Sequence, residues 1–141
     1  MAMKELLFSF QGRVGRKTFW IWNVVYYLSI VGFAAGINTL FPNLAHLLLP
    51  AFLLVILIPD LAITAKRWHD RNRPTTFLLL NIPLIIGRLA APAGDLVTES
   101  SMIQMLVSIA ALACGLWIFI ECGLMKGTDG ANQYGQDPVR N

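Results

Sequence analysis

The densest polar run of the chain combines several basic residues with an adjacent histidine and aspartate. It reads Lys66-Arg67-Trp68-His69-Asp70-Arg71-Asn72-Arg73-Pro74. Arg67 and Arg71 could donate to a phosphate or a lipid headgroup, and His69 can change charge near neutral pH. A metal site is not expected, because adjacent helical residues point about 100° apart and no second histidine stands nearby. The alternative interpretation is a solvated basic turn that fixes topology and attracts anionic lipid.

Two further segments carry polar side chains that could join this run. Arg13 and Arg16 precede a long apolar stretch, and the tail is rich in turn-forming residues. The tail is either disordered or a structured loop folded over the basic run. The candidate lipid-binding or ligand-binding residues are Arg13, Arg16, Arg67, His69, Asp70, Arg71, Asn132, Tyr134 and Asp137. The sequence contains no P-loop, CxxC pair or nucleophile elbow, so we assign no catalytic residue, metal or cofactor.

The composition indicates the environment in which these residues must be positioned. Of the 141 residues, 56% are hydrophobic and 13% are charged, and the mean hydropathy is +0.61. Soluble domains average about 25% charged residues. Because the apolar excess is gathered into long blocks, the sequence excludes a disordered chain, a nucleic-acid-binding module and an ordinary cytosolic enzyme. The net charge of +3 is weak evidence for a polyanionic partner.

Four apolar segments predict membrane-spanning helices. A helix needs about 20 apolar residues to cross a hydrocarbon core about 30 Å thick. Segments 19–41, 45–65 and 102–124 meet this requirement. Segment 76–91 reaches only about 24 Å, so we expect it either to span with Arg88 snorkelling outward or to be re-entrant. The predicted fold class is all-α, a single membrane domain built as a four-transmembrane-helix bundle.

The positive charges lie almost entirely on one side of these spans. Ten of the eleven lysines and arginines fall in residues 1–18, in the 66–75 turn or in the 125–141 tail, with Arg88 as the exception. The connections on the other side, including residues 92–101, contain none. The distribution predicts a bacterial inner-membrane protein with both termini cytoplasmic. Helical spacing of apolar residues over 3–10 predicts a short interfacial helix before the first span.

Two acidic side chains fall inside the predicted spans. Asp60 and Glu121 each lie toward the cytoplasmic end of a helix. An ionisable group at this depth is costly without a partner. We therefore predict ion pairs, with a cation from another helix end, such as Arg13 or Arg16, as the partner.

Small residues mark two faces for close helix packing. Gly32 and Gly36 form a GxxxG pattern in the first span, and Ala111 and Gly115 form a similar pattern in the last. Such patterns let helix backbones approach closely in lipid. We favour packing within the bundle, and a homodimer seam is the alternative.

Three motifs occur in order along the chain. Residues 10–20 read FQGRVGRKTFW, residues 66–70 read KRWHD, and residues 127–138 read GTDGANQYGQDP. They resemble the motifs F-x-G-R-x-x-R-x-x-[FY]-W, R-R-[LW]-H-D and G-x-x-G-x-N-x-[YF]-G-x-[DN]-P of the YhaH/YhaI-type family of small bacterial inner-membrane proteins, domain of unknown function 805. Family members commonly follow His-Asp with a glycine and a small residue, whereas this chain has Arg71 and Asn72. The resemblance implies a four-span inner-membrane protein and implies no activity.

The predicted topology places all three motifs on the cytoplasmic side, where they could form either a composite site or a folding clamp. We expect a non-enzymatic protein with a structural or regulatory role. Its polar cluster would clamp the bundle and bind anionic headgroups or a partner protein. One alternative is a membrane enzyme acting on a lipid or lipid-linked phosphate, with His69 or Asp70 as general acid or base. Another is a small transporter or channel formed by an oligomer. The expected partners are membrane lipids, above all anionic headgroups, and no nucleic acid; a homo-oligomer is an alternative that the sequence leaves open.

Overall fold

The computed structural model describes residues 2–90 and 102–138, and over these ranges the protein is all-α. Its helices are α1 (Met3–Phe8), α2 (Arg16–Leu40), α3 (Ala45–Asp70), α4 (Ile82–Ala90) and α5 (Met102–Ile118). Short 3₁₀ helices over Pro42–Leu44 and Thr75–Asn81 precede α3 and α4, and α5 continues into a π-helical turn over Phe119–Leu124. The end of the third predicted span at residue 91, the 92–101 connection and Arg140 lie outside the described residues.

Three of the helices are long and apolar enough to cross a membrane. They are Arg16–Leu40, Pro42–Asp70 and Met102–Leu124, with mean hydropathies of 1.5, 2.4 and 2.3. Thr75–Arg88 is also apolar but shorter. This pattern indicates a multi-pass membrane protein.

The helix that carries the basic run is longer than predicted. α3 ends at Asp70 rather than near residue 65, so the first half of the expected 66–75 turn is helical. The helix continues through Pro50 and Pro59. Its 26 residues span about 39 Å, more than the hydrocarbon core of about 30 Å, so its last polar turns can extend past that core.

Burial is concentrated at the polar end of α3. In the most apolar window of Pro42–Asp70, 33% of the residues are buried, compared with 6% for α2 and 6% for Met102–Leu124. α3 is therefore the central helix, and the other two present most of their surface outward. The buried apolar cluster around its last turns contains Val14, Phe19, Ile63, Trp68, Ile118 and Cys122.

The two small-residue patterns have different surroundings. A Cβ atom added at Gly32 or Gly36 would meet no atom within 4 Å, so no described element packs closely there. This corrects the expectation that the GxxxG pattern packs within the bundle. A Cβ at Gly115 would lie 3.4 Å from a methyl group of Leu84, so the pattern in α5 does face α4. Ala111 in the same pattern is half-buried.

Candidate functional site

Asp70, the last residue of α3, accepts hydrogen bonds from two buried arginines. Arg13 donates to Oδ1 through Nε at 3.1 Å and through Nη2 at 2.8 Å. Arg67 donates to Oδ2 through Nη1. The side chains of Arg13, Arg67 and Asp70 are 1%, 0% and 4% exposed. Two buried cations share one carboxylate, so further acceptors are needed to compensate them.

Backbone carbonyls of the C-terminal loop supply those acceptors to Arg13. Its Nη1 donates to the carbonyl of Gly130 at 2.7 Å and to that of Gly135 at 3.2 Å, and its Nη2 donates to that of Thr128 at 2.6 Å. A guanidinium has five N–H donors. With the two bonds to Asp70, every donor of Arg13 has an acceptor within the protein.

A second arginine caps the end of α5. Arg67 donates to the carbonyls of Cys122 and Met125, both at 2.6 Å. The more exposed Arg16 donates to the carbonyl of Leu124 at 3.0 Å. The last carbonyls of a helix have no partner within the helix and carry partial negative charge. Cations from α2 and α3 therefore satisfy and stabilise the carboxyl end of α5.

The C-terminal loop caps α3 in return. Thr128 N–H donates to the carbonyl of Asp70 at 2.7 Å, and the Asn132 amide donates to that of His69 at 2.9 Å. The loop lies so close that a Cβ at Gly127 would be 2.0 Å from Asp70 Oδ2. Only glycine fits this approach. We call Arg13, Arg67, Asp70 and the 127–135 loop the polar clamp.

Internal hydrogen bonds give this loop a defined shape. Asn132 and Gly135 exchange backbone hydrogen bonds of 3.0 and 3.2 Å, and Asn132 Oδ1 accepts from Tyr134 N–H at 2.8 Å. Asp137 Oδ2 accepts from Gly130 N–H at 3.1 Å. Of the two alternatives for the tail, the structured loop over the basic run is the one observed through residue 138.

His69 is enclosed by three neighbours. Its Nδ1 lies 3.0 Å from the Gly12 carbonyl, and its Nε2 lies 2.8 Å from the Thr75 hydroxyl. The carbonyl can only accept, so Nδ1 carries a proton, and the hydroxyl can donate to Nε2. The Tyr134 ring stacks on the imidazole, with centroids 4.0 Å apart and planes inclined by 5°. Both ring nitrogens thus have partners, which leaves neither free for proton transfer to a ligand in this arrangement.

Glu121 lies on the rim of the clamp, against the turn that follows α3. Its Oε2 accepts from Arg71 Nε at 3.0 Å, and its Oε1 lies 3.8 Å from Arg73 Nη2. These cations come from the stretch of this chain that departs from the resembled motif.

Asp60 belongs to a separate polar cluster two helical turns before the clamp. Its Oδ2 accepts from Arg88 Nη1 at 3.1 Å, and its Oδ1 accepts from Trp22 Nε1 at 3.1 Å. Arg88 also donates to the hydroxyls of Tyr26 and Tyr27, at 3.1 and 3.3 Å. The pair thus joins α2, α3 and α4.

The cations that pair with the two intramembrane acids differ from the examples given by the sequence. Glu121 pairs with Arg71 at the end of α3, whereas Arg13 is held by Asp70 and Arg16 donates to a helix-end carbonyl. Arg88, which was expected to snorkel outward if segment 76–91 spans the membrane, turns inward to Asp60. The physical reason is proximity, because the α4 cation reaches the buried acid on α3 and desolvated charges gain most from their nearest partner.

Three polar residues around these clusters, Lys66, Trp22 and the buried Asn81, were not among the sequence candidates. Lys66 is fully buried, and its ammonium donates to the carbonyls of Glu5 and Leu6 at the end of α1. Its place beside Arg67 in a motif was the available signal. Trp22 and Asn81 could have been singled out as groups with polar atoms inside apolar segments.

The side chains of Arg13, Arg67 and His69 already bond to groups of the protein. The strongest donors of the site are thus occupied by protein oxygens, and its histidine is hydrogen-bonded and stacked. Among the described residues, no group of three or more His, Cys, Asp or Glu side chains is placed to hold a metal ion.

The comparisons with known proteins cover nearly the whole chain. A family model described as a protein of unknown function, DUF805, matches residues 7–136. The uncharacterized protein YiiR of Escherichia coli strain K12 is 34% identical over 145 residues, covering 97% of this chain and 90% of the relative. YiiR of Escherichia coli O157:H7 matches with the same identity and coverage. No solved structure matches the chain. The matched range includes all of the polar clamp, from Arg13 to the 127–135 loop. Because the family model matches most of the chain, the chain belongs to the DUF805 family.

Proposed function

We propose that this is a non-enzymatic inner-membrane protein with a structural or regulatory role, in which the polar clamp locks the N-terminal segment, α3 and the C-terminal loop together. Thr75–Arg88 serves as a fourth, short span, so that the helices form a four-span bundle. The lysine and arginine distribution supports cytoplasmic termini. The clamp then lies on the cytoplasmic side of the membrane.

The saturation of Arg13 is the observation that carries this proposal. All five N–H donors already have protein acceptors, and the side chain is 1% exposed. A phosphate ligand would have to displace the carbonyls of Thr128, Gly130 and Gly135, of which the first two belong to half-buried residues. Loss of such a bond leaves a desolvated polar group, which costs more than an ordinary hydrogen bond contributes. The geometry therefore favours a clamp over a ligand site at this position.

Anionic lipid contacts are better assigned to the exposed cations around the clamp. These are Lys4, Arg16, Lys17, Arg73 and Lys126. Each basic residue near an anionic surface contributes about 1 kcal/mol of attraction. Binding to headgroups through this rim leaves the buried arginines undisturbed.

The alternatives receive less support from the same contacts. A lipid-phosphate enzyme needs a free acid–base group beside unoccupied phosphate donors. His69 is bonded at both nitrogens, and Arg13 and Arg67 are bonded to protein oxygens. A transport pathway needs polar groups through the membrane depth, whereas five of the six described ion pairs lie at the clamp end of the helices and one, Asp60–Arg88, lies deeper.

A pair of charge-removing variants tests the proposal. Arg67→Gln removes a buried clamp cation, and Lys17→Gln removes an exposed one. We expect Arg67→Gln to lose about 3 kcal/mol of unfolding free energy in neutral detergent, because it leaves carbonyls of α5 unsatisfied. We expect Lys17→Gln to change it by less than about 0.5 kcal/mol.

The same variants are then unfolded with phosphatidylglycerol added. The wild-type protein and Arg67→Gln should both gain thermal stability from the lipid, and Lys17→Gln should gain less. Equal unfolding temperatures for the two variants in neutral detergent would rule out the clamp. A lipid effect that disappears in Arg67→Gln but persists in Lys17→Gln would place the headgroups in the clamp instead of at its rim.

A further inference from the structure

A cavity of about 490 Å³ lies between α2, α3, α4 and α5, on the apolar side of the polar clamp. Its volume is within the range of about 300–1,000 Å³ that is typical of small-molecule sites. Most of its wall is apolar, formed by side chains such as Phe19, Leu28, Leu84 and Ile118. A wall of this kind can contact the hydrocarbon part of a ligand.

The cavity has a buried floor and an exposed mouth. Thr64 and Asn81 on the floor are buried, whereas Val24, Leu28 and Phe119 around the opening are exposed. The exposed residues belong to two long apolar helices, α2 and the helix Met102–Leu124. In a membrane these surfaces face lipid, so the opening is lateral and admits molecules from the bilayer.

One buried polar group in this floor has no partner. Asn81 is 5% exposed, and its Nδ2 donates no hydrogen bond. Trp68 Nε1 is also buried and unpartnered, but Trp68 does not line the cavity. Burying an amide donor without an acceptor is costly, and it is more so among apolar helices than near water. An acceptor brought by a ligand would remove that cost.

Three other polar side chains that line the cavity already have hydrogen-bond partners. Asp60 accepts from Trp22 and Arg88, and the Thr64 hydroxyl donates to the Asp60 carbonyl at 2.7 Å. The Asn23 amide donates to the carbonyl of Phe19 at 2.8 Å. Because the acid and the arginine compensate each other, the floor offers a neutral hydrogen-bond donor and no unpaired charge. The complementary ligand group is a neutral acceptor.

We propose that this cavity binds a lipid-soluble amphiphile that presents a carbonyl oxygen to Asn81 Nδ2 while its hydrocarbon part lies along the apolar wall. This chemistry is shared by the ester carbonyl of a glycerolipid and the ring carbonyl of a lipid-soluble quinone. The site is independent of the polar clamp and uses none of its residues.

Binding of three neutral probes to the purified full-length chain in detergent tests this site. A diacylglycerol carries the ester carbonyl, an alkyl benzoquinone carries the ring carbonyl, and a dialkylglycerol ether matches the first probe but lacks a carbonyl. We expect at least one carbonyl probe to bind the wild-type protein about tenfold more tightly than the ether, as one additional hydrogen bond would produce. The tighter of the two carbonyl probes identifies the source.

Two amide variants show whether Asn81 is the donor. Asn81→Leu should reduce carbonyl-probe binding to the level of the ether. Asn38→Leu should leave it unchanged, because Asn38 is an exposed amide that donates within α2 to Ala34. Without ligand, Asn81→Leu should be at least as stable as the wild-type protein, since it removes an unpartnered buried donor.

A third variant, Val24→Trp, narrows the exposed mouth without touching the floor. It should weaken binding of the ether and carbonyl probes alike. Equal binding of carbonyl probes by the wild-type protein and Asn81→Leu would overturn the proposal. It would also be overturned if neither carbonyl probe bound more tightly than the ether.

Discussion

The polar clamp and the Asp60–Arg88 cluster each combine a buried acid with arginine, but they differ in how completely their donors are satisfied. In the clamp, loop carbonyls from Thr128, Gly130 and Gly135 complete the hydrogen bonding of Arg13. Beside Asp60, the floor residue Asn81 has an amide with no acceptor. The difference follows from the backbone. A loop has free carbonyls to offer, whereas helices inside a membrane have already used theirs.

In this chain, the residues whose types suggest chemistry differ from the residues that are open to a ligand. The arginines, histidine and aspartate that look most reactive are held by the protein itself. Among the described residues, two buried groups lack a hydrogen-bond partner: the indole of Trp68, inside a motif, and the amide of Asn81, in a segment without a recognisable motif. Asn81 is the one of these two that lines the cavity. Motif residues in this chain are therefore better evidence for folding, and Asn81 is better evidence for binding.

The largest loss of unfolding free energy is expected when the carboxylate of the polar clamp is removed. Asp70→Asn leaves two buried guanidinium groups without their shared anion, and we expect it to cost about 3–5 kcal/mol of unfolding free energy. Denaturant unfolding in detergent measures this loss. Asp129→Asn is the matched control, because Asp129 is 59% exposed and pairs with Lys126 at the surface. That control should change stability by less than about 1 kcal/mol. Similar losses in both variants would mean that the clamp has no special role.

A smaller effect is expected where the loop approaches α3. Gly127→Ala places a methyl group 2.0 Å from Asp70 Oδ2, so the loop must shift and the clamp loosens. We expect a loss of about 1–3 kcal/mol and faster proteolysis within residues 127–138. Gly32→Ala controls for the substitution itself, since its added methyl group meets open space. If both variants resist protease equally, the close approach does not hold the loop.

The smallest loss of unfolding free energy is expected in the Asp60–Arg88 cluster. Asp60→Asn keeps an acceptor for Trp22, and Arg88, which is 25% exposed, retains the two tyrosine hydroxyls. We expect a loss of about 1 kcal/mol, the size of one ordinary hydrogen bond, measured by the same denaturant unfolding. A loss as large as that of Asp70→Asn would remove the distinction between the two regions.

Much of the fold follows from composition along the chain. Long apolar segments predict the three helices that can cross a membrane, because hydrocarbon thickness sets their length. The 3₁₀ start of the third segment at Thr75–Asn81 and the extension of α3 to Asp70 were not predicted. Hydropathy reports how favourably a segment is buried in lipid. It does not report contacts with other elements, and such contacts stabilise the polar end of α3.

The site was predictable in its location but not in its bonds. The predicted topology placed the three motifs at one end of the helices, and the structure joins Arg13, Asp70 and the 127–135 loop there. The main acceptors for Arg13 and Arg67 are backbone carbonyls, which exist at every residue and leave no trace in the sequence. The Arg88–Asp60 pair depends on how α4 is rotated against α3, which helical spacing within one helix cannot show.

The distance along the chain between Arg13 and its carbonyl partners has a consequence for biosynthesis. Separations of 115 to 122 residues divide this arginine from the oxygens that complete its shell. Arg13 is translated before them, and those oxygens leave the ribosome at least 115 residues later. Contacts between such distant segments form late and slowly. The polar clamp is therefore completed only after the 127–135 loop has been made, and until then three of the five hydrogen bonds of Arg13 have no acceptor from this loop.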